Sequence, residues 1–226
     1  MSEMESRERP ESMAGFFDAR SDGYEEHMAR TVASFDAFYR SVANPIPQTD
    51  QALRILDIGC GTGLELDAVL SKAPNAMVTG IDVSAGMLRK LRERYADHPE
   101  RLRLIQGSYL DVPLGQAVYD FVLAVMTLHH LLPSRKRALY RRIRAALKKT
   151  GAYVEGDWVV SPEEERRYLL EYKERTRGFG TSEEGAYHLD VPLSLDTGKR
   201  LLKEAGFSTV DVIWQADGNS VYVARS

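Results

Sequence analysis

Cysteine is almost absent from this sequence, in which Cys60 is the only one. A single cysteine cannot form a disulfide within the chain, which excludes the disulfide-stabilised class of secreted domains and fits a reducing compartment. Long apolar runs are missing as well. The longest, residues 121–126, is far shorter than the roughly 18 residues of a membrane span, and we expect no signal peptide. We therefore expect a cytoplasmic protein with no membrane partner.

A strong excess of either charge is also lacking. The chain has 30 basic and 33 acidic residues, which leaves a net charge of −3 and no overall attraction to nucleic acid. Its 226 residues are 43% hydrophobic and 28% charged, which is sufficient for one large domain with a substantial core. We predict a flexible polar tail over residues 1–14 and a single domain over residues 15–226.

The most informative stretch is residues 53–63, with the sequence LRILDIGCGTG. An apolar run leads into three glycines at alternate positions, Gly59, Gly61 and Gly63, and a helical pattern follows. This order predicts a buried strand, a tight turn and a helix. Glycine permits a positive φ and lets a ligand approach the backbone. The dinucleotide-binding fingerprint would need another glycine at position 64, where this chain has Leu64.

Two carboxylates accompany this turn. Asp57 comes just before the first glycine, and Asp82 ends the next apolar strand, about 20 residues further along the chain. A carboxylate in the second position can bind both hydroxyls of a ribose. The first position suits a positively charged group better than a pyrophosphate. The pattern therefore predicts a nucleoside ligand that carries a positive charge.

The pair LDIGCGTG and VTGIDVS resembles the first two motifs of the class I S-adenosylmethionine-dependent methyltransferases, and the resemblance extends over roughly residues 16–224. It implies a Rossmann-like, doubly wound α/β sheet of seven mostly parallel strands, with S-adenosylmethionine as cofactor. The alternation of strands and helices independently predicts a parallel sheet. The alternating apolar residues at the C-terminus predict an antiparallel hairpin.

The resemblance also implies roles for individual residues. Asp57 would lie near the methionine amino group, Asp82 would bind the ribose, and Val83 and Met87 would flank the adenine. Tyr24 would reach the methionine end of the cofactor, although it could equally be a core aromatic of an amphipathic helix. The predicted cofactor-binding residues are Tyr24, Asp57, Gly59, Cys60, Gly61, Gly63, Asp82, Val83, Met87, Gly107, Ser108, Tyr109 and Val125. Many family members have an acidic residue in place of Ser108, which weakens the assignment of the adenine contact.

Two segments lie outside the alternating pattern. A cap helix is predicted over residues 15–44, and a lid insertion over residues 161–193 begins with the helix start SPEEE and continues as a long polar connection. Both can cover only the carboxyl edge of the sheet. We expect them to close over the bound cofactor and keep water from the reacting groups.

Three residues are candidates for proton transfer. His130 is favoured as the residue that faces the acceptor, with His129 pointing away, because an imidazole titrates near neutral pH. Asp157 is the second candidate, and His188, with Asp190 nearby, is the third. Each could instead be a structural or solvated residue. No metal ligand is predicted.

A small-molecule methyl acceptor is the preferred partner. The alternative is RNA, tRNA in particular, bound by the helix predicted over residues 134–149, which carries eight basic residues and no acidic one and is followed by Gly151 as its stop. We favour a solvated basic face for that helix. Two other classes stay open, a nicotinamide-dependent oxidoreductase and a non-catalytic nucleoside-binding module. The sequence does not predict an oligomeric state.

Overall fold

The computed structural model of this chain describes residues 10–177 and 185–226. Most of the predicted tail, residues 1–9, and part of the predicted lid connection, residues 178–184, lie outside the described residues. No helix within the described ranges is long and apolar enough to cross a membrane.

One sheet of seven strands forms the centre of the fold. Its strands are β1 (Arg54–Ile58), β2 (Met77–Asp82), β3 (Leu102–Gln106), β4 (Tyr119–Val125), β5 (Leu147–Trp158), β6 (Thr209–Ala216) and β7 (Asn219–Arg225). Their spatial order is β3-β2-β1-β4-β5-β7-β6. Strands β1 to β5 are parallel, whereas β7 is antiparallel to both β5 and β6. The predicted fold class is confirmed.

Helices cover both faces of this sheet. In the described residues they are α1 (Met13–Arg20), α2 (Tyr24–Thr31), α3 (Phe35–Val42), α4 (Leu66–Lys72), α5 (Ala85–Arg94), α6 (Pro133–Ala146), α7 (Pro162–Arg175) and α8 (Leu195–Glu204). Neighbouring residues of a strand serve opposite cores, because side chains alternate across a sheet. Ile55 of β1 packs in one apolar cluster, and Leu56 packs in the other. The central strands are therefore buried on both faces.

The N-terminal region differs from the prediction. The expected single cap helix is divided into α1, α2 and α3, because the chain turns at Ser21–Gly23 and again at Ser34, which has a left-handed φ of 54°. The predicted tail is also too long. Ser12 is the N-cap of α1 and accepts a hydrogen bond from the Gly15 amide, so residues 12–14 are part of the folded domain.

The boundary after α6 differs too. The helix ends at Ala146 rather than at residue 149, because Leu147 pairs with Tyr119 in the sheet. Gly151 is therefore not a helix stop. A Cβ atom at Gly151 would lie 3.0 Å from the carbonyl oxygens of Tyr119 and Asp120, so glycine is required there by a close approach of two strands.

The predicted helix start at Ser161 is confirmed, and α5 has a similar cap at Ser84. The Ser84 hydroxyl accepts a hydrogen bond from the Met87 amide, and Ser161 forms a capping box with Glu164. Such caps satisfy amides that have no partner within the helix. The first cap matters for the site, because it fixes the chain just beyond Asp82.

Two basic residues of α6 were wrongly predicted to be solvated. Lys136 is buried, and its Nζ lies 2.8 Å from Oε1 of the fully buried Glu155. The hydroxyls of Tyr140 and Tyr153 donate hydrogen bonds to Oε2 of the same carboxylate, at 2.7 and 2.6 Å. Arg142 donates to three backbone carbonyls after β3. Both side chains are therefore parts of the fold and unavailable to a nucleic acid.

Candidate functional site

The glycine turn after β1 brings bare backbone to the carboxyl edge of the sheet. Gly59 has a φ of +67°, and a Cβ atom there would lie 2.1 Å from Oγ1 of Thr127. Gly61 has a φ of +49°, and a Cβ atom there would meet only Tyr24, at 3.9 Å. The first glycine is therefore needed for packing between strand ends. The second leaves open space beside the backbone.

That open space is part of a cavity of about 50 Å³, which we call the cofactor cavity. Nine predicted site residues line it: Tyr24, Gly59, Gly61, Asp82, Val83, Met87, Ser108, Tyr109 and His130. The wall also contains Met13, Phe17, Leu110, Met126, Thr127 and Gly185, which the sequence analysis did not identify. The segments that follow β1, β2, β3 and β4 thus meet at one place, as expected for the carboxyl ends of parallel strands.

The other five predicted cofactor-binding residues lie outside this wall. Cys60 packs against Gly80, and Gly63 packs against Leu91, so both serve the fit between the turn and its neighbours. Gly107 lies beside Val112, and Val125 belongs to the apolar core. The fifth residue, Asp57, is fully buried next to the turn.

Asp57 lies with a second acid, Glu65, which the sequence analysis missed. Both are buried, and neither carboxylate oxygen of Asp57 has a hydrogen-bond partner; Oε1 of Glu65 also lacks one. Burial, together with the charge of Glu65, raises the pKa of Asp57 well above its usual value, and burial raises the pKa of Glu65 as well. An uncompensated acidic pair of this kind suits a cationic partner, such as an ammonium group.

Asp82 is held in a fixed orientation by the backbone around it. Its Oδ2 accepts a hydrogen bond from the Gly61 amide at 2.9 Å, and its Oδ1 accepts one from the Ser84 amide at 2.9 Å. Burial raises the pKa of Asp82, although these amides oppose that shift. The carboxylate lines the cofactor cavity, where its remaining lone pairs can accept hydrogen bonds from the two hydroxyls of a ribose.

The cofactor cavity is covered by two segments, residues 11–18 and 186–188, which we call the N-terminal clasp. The Met13 amide donates to the carbonyl of Ala186, and the His188 amide donates to that of Glu11. The rings of Phe16 and His188 stack with centroids 3.4 Å apart. The clasp is tied to α5 because Oδ1 of Asp18 accepts hydrogen bonds from the Ser84 hydroxyl and the Gly86 amide.

The clasp should open for the cofactor to enter. A cavity of about 50 Å³ is well below the roughly 300–1,000 Å³ of a typical ligand pocket. We expect amides of residues 15–29 and 185–190 to exchange hydrogen readily in the free protein and to become protected by S-adenosylhomocysteine. Amides of β1 and β4 should stay protected throughout. Equal protection of the outer segments with and without this ligand would contradict a moving cover.

A larger cavity of about 830 Å³ adjoins the first, and the two share Phe17, Tyr24, Met126 and His130. Its other lining residues are Phe16, Ala19, Arg20, Gly23, His27, Met28, Thr31, Val32, His129, Trp158, His188, Asp190, Asp217 and Asn219. Aromatic and aliphatic side chains therefore surround a small group of titratable ones. This composition is typical of a pocket for a small organic molecule.

The titratable group comes from three elements of the chain. Contrary to the prediction, His129 does not point away, since both histidines line the larger cavity. Asp157 lies behind the wall, where its Oδ1 is 2.5 Å from Nδ1 of His129 and its Oδ2 accepts a hydrogen bond from the Leu128 amide. His188 and Asp190 complete the group from the segment that leads to α8.

The pKa values of the two neighbouring histidines are shifted in opposite directions. Burial lowers the pKa of His129, but the charge of Asp157 and its hydrogen bond outweigh burial and raise that pKa above its usual value. Burial, together with His129, lowers the pKa of His130 to about 4. At neutral pH the His130 imidazole is therefore uncharged and has a lone pair available for a proton or another ligand.

Comparison with known proteins agrees with this geometry. Residues 55–151 match a family profile described as a methyltransferase domain. The chain is 26% identical over 204 residues to an uncharacterized methyltransferase of Geobacillus sp. strain WCH70, with 88% of this chain and 87% of the relative covered. It is 30% identical over 177 residues to the carboxy-S-adenosyl-L-methionine synthase of Chromohalobacter salexigens, with 71% and 64% covered.

A solved structure supports the fold. Human N-acetylserotonin methyltransferase in complex with SAM superposes with a TM-score of 0.64 at 17% identity, over 96% of this chain and 62% of the human one. The site suits this cofactor. Asp82 lines the cofactor cavity in a fixed orientation that can serve the ribose, and the buried acids Asp57 and Glu65, beside the glycine turn, can serve its ammonium group. The motif pair and the methyltransferase relatives favour a methyltransferase over the nicotinamide-dependent and non-catalytic alternatives. Residues 55–151 thus match a methyltransferase domain, the chain resembles the class I S-adenosylmethionine-dependent methyltransferases, and S-adenosylmethionine is its cofactor.

Proposed function

We propose that this enzyme methylates an oxygen atom of a small, largely apolar molecule that binds in the larger cavity. The observation that carries this proposal is the wall common to the two cavities, formed by Phe17, Tyr24, Met126 and His130. A molecule in the larger cavity would reach the cofactor across that wall. We therefore call the larger cavity the acceptor cavity.

The protein's part in such a reaction is positioning and exclusion of water. The bound cofactor supplies a methyl carbon activated by its sulfonium. Asp57 and Glu65 would bind the ammonium end and Asp82 the ribose, so that the methyl group faces the shared wall. Phe16, Phe17 and Trp158 would hold the acceptor against that wall and keep water away.

The polar part of the wall is where an acceptor hydroxyl would lose its proton. His129, His130, His188 and Asp190 all line the acceptor cavity. Asp157 would act by holding His129 in one orientation, through a contact that lies behind the wall. Of the sequence-predicted candidates, we therefore propose that His130 and His188 face the acceptor and that Asp157 is a positioning residue.

The likeness to carboxy-S-adenosyl-L-methionine synthase gives a second candidate activity. The two can be separated by the fate of the cofactor. Purified enzyme with S-adenosylmethionine and a fractionated metabolite extract should form S-adenosylhomocysteine together with a methylated metabolite, which mass spectrometry identifies. A carboxylated form of the cofactor, with no methylated product, would overturn the proposal.

The same assay distinguishes a small acceptor from RNA. Arg141 and Arg144 are exposed residues of α6; Arg142 is excluded from the test because it holds the loop after β3. We expect Arg141→Glu with Arg144→Glu to change methylation of a metabolite by less than about twofold, since these side chains lie away from the acceptor cavity. With RNA as acceptor, the double variant would bind poorly and the steep salt dependence of binding would fall. Methyl transfer to tRNA that is lost in this variant would contradict the proposed acceptor class.

A further inference from the structure

Three side chains with metal-binding atoms meet at the polar wall of the acceptor cavity. His129 and His130 come from the 3₁₀ turn Leu128–His130 after β4, and Asp190 comes from the segment before α8. One ligand atom of each lies within 4.8 Å of one ligand atom of both others. Two imidazoles and one carboxylate on a cavity wall form the donor set of several catalytic metal sites.

His129 already has the arrangement of a metal-bound histidine. Its Nδ1 is occupied by Asp157 at 2.5 Å, and Asp157 is itself fixed by the Leu128 amide. When Nδ1 of His129 donates to a carboxylate, Nε2 is the atom that remains as a ligand. Histidines that bind a metal almost always donate their other ring N–H to a carboxylate or a carbonyl.

His130 supplies the second, independent observation. Only 4% of this residue is exposed, and its Nδ1 has no hydrogen-bond partner. Oδ1 of Asp190 lies 3.2 Å from that nitrogen, at the distance of an ion pair. Two ligands of a tetrahedral zinc ion, bound at 2.0–2.1 Å, are about 3.3 Å apart. The nitrogen of His130 and the oxygen of Asp190 therefore have the separation that two ligands of a shared cation require.

We propose that His129, His130 and Asp190 bind one divalent transition-metal ion of the zinc type, with its open position directed into the acceptor cavity. Imidazole nitrogen favours Zn²⁺, Co²⁺ or Fe²⁺ over Mg²⁺, which prefers oxygen ligands. An acceptor with an ionisable hydroxyl, such as a phenol or an α-hydroxy ketone, would complete the coordination. This last step rests on the proposed function, whereas the metal site does not.

The chemistry of such a site is balanced without a further reactant. The acceptor hydroxyl would release its proton to water as its oxygen binds the cation. During transfer, the bond between the methyl carbon and the sulfonium breaks and the bond between that carbon and the oxygen forms. No electron is gained or lost overall. The histidines then act as metal ligands, and proton removal needs no side-chain base.

The test is metal binding by the full chain in the absence of cofactor and acceptor. The protein is stripped with a chelator, dialysed and titrated with ZnCl₂, CoCl₂ or MgCl₂ in a calorimeter. We expect one Zn²⁺ or Co²⁺ per chain, with the visible absorption of tetrahedral Co²⁺, and no comparable binding of Mg²⁺. Asp157→Asn should weaken Zn²⁺ binding by about 10–100-fold, the usual loss for an outer partner of a metal ligand.

Ligand variants and a matched control make the assignment specific. His130→Ala and Asp190→Asn should each lose more affinity for Zn²⁺ than Asp157→Asn does. Asp190 is 41% exposed, so its substitution should leave the fold intact even where His130→Ala does not. His98→Ala removes an exposed histidine paired with Glu100 and should bind Zn²⁺ as the parent protein does. Absence of stoichiometric binding, or binding unchanged in Asp190→Asn, would overturn the site. Metal binding without methyl transfer to any metabolite would overturn only the proposed function.

Discussion

Replacing Lys136 by methionine is expected to cost about 3–5 kcal/mol in the free energy of unfolding, since one partner of a buried ion pair is lost. Lys136 and Glu155 are 4% and 0% exposed, and their charged atoms are 2.8 Å apart. Without the ammonium group, Glu155 would keep two tyrosine donors but no opposite charge. Urea denaturation of the parent and of Lys136→Met, monitored by fluorescence, measures the difference in their free energies of unfolding.

Two further variants test that explanation. Lys136→Met combined with Glu155→Gln should recover much of the lost stability, because the uncompensated charge is gone. Lys148→Met removes the more exposed pair with Asp120, in which the lysine side chain is 40% exposed. Its cost should stay below about 1 kcal/mol. A Lys136→Met protein as stable as the parent would show that the pair contributes nothing.

Replacing Asp57 by asparagine should weaken binding of S-adenosylhomocysteine by roughly 10–100-fold, the loss expected for a hydrogen bond to a charged group. This product keeps the ammonium group that Asp57 and Glu65 would bind, and it can be titrated into the protein in a calorimeter. Asp36→Asn, which alters an exposed acid on α3, is the matched control and should bind normally. Equal affinity in both variants would place the ammonium group elsewhere.

The same substitution should stabilise the ligand-free protein. Burial raises the pKa of Asp57 in the folded state. The contribution of Asp57 to the free energy of unfolding is therefore most favourable at low pH, and it is lost as the pH rises through the raised pKa. Asparagine cannot ionise and avoids that loss. At neutral pH and without ligand, we expect Asp57→Asn to melt at a higher temperature than the parent. S-adenosylhomocysteine should raise the melting temperature of the variant less than that of the parent. The difference between the two melting temperatures should shrink in acid.

The fold was predictable because its signals are local and repeated. Apolar strands alternate with amphipathic helices, and the motif pair fixes the first two strands and the turn between them. The cofactor cavity was predictable for the same reason, since Gly61 and Asp82 belong to those motifs. The limits of α6 were missed because pairing of Leu147 with Tyr119, a contact between distant residues, overrides helical propensity.

The acceptor side could be predicted only in part. His129 and His130 stand out in the sequence, but Asp190 lies some 60 positions away, and no spacing pattern relates the three. Glu65 follows the glycine turn directly, where an acid is also a common first-turn residue of a helix. Its partnership with Asp57 depends on burial of both, which only the folded chain shows. Phe17 belongs to the segment predicted as a cap helix, but the sequence analysis did not identify it as a site residue.

The N-terminal clasp has a consequence for turnover. The Asp18 carboxylate accepts hydrogen bonds from Ser84 and Gly86, which are neighbours in the chain of Val83 and Met87, two residues that line the cofactor cavity. Release of S-adenosylhomocysteine would require these hydrogen bonds to break. The product would therefore leave only when the N-terminal clasp detaches from α5. Opening of the N-terminal clasp would then limit the rate of catalysis, and a viscous solvent would lower that rate.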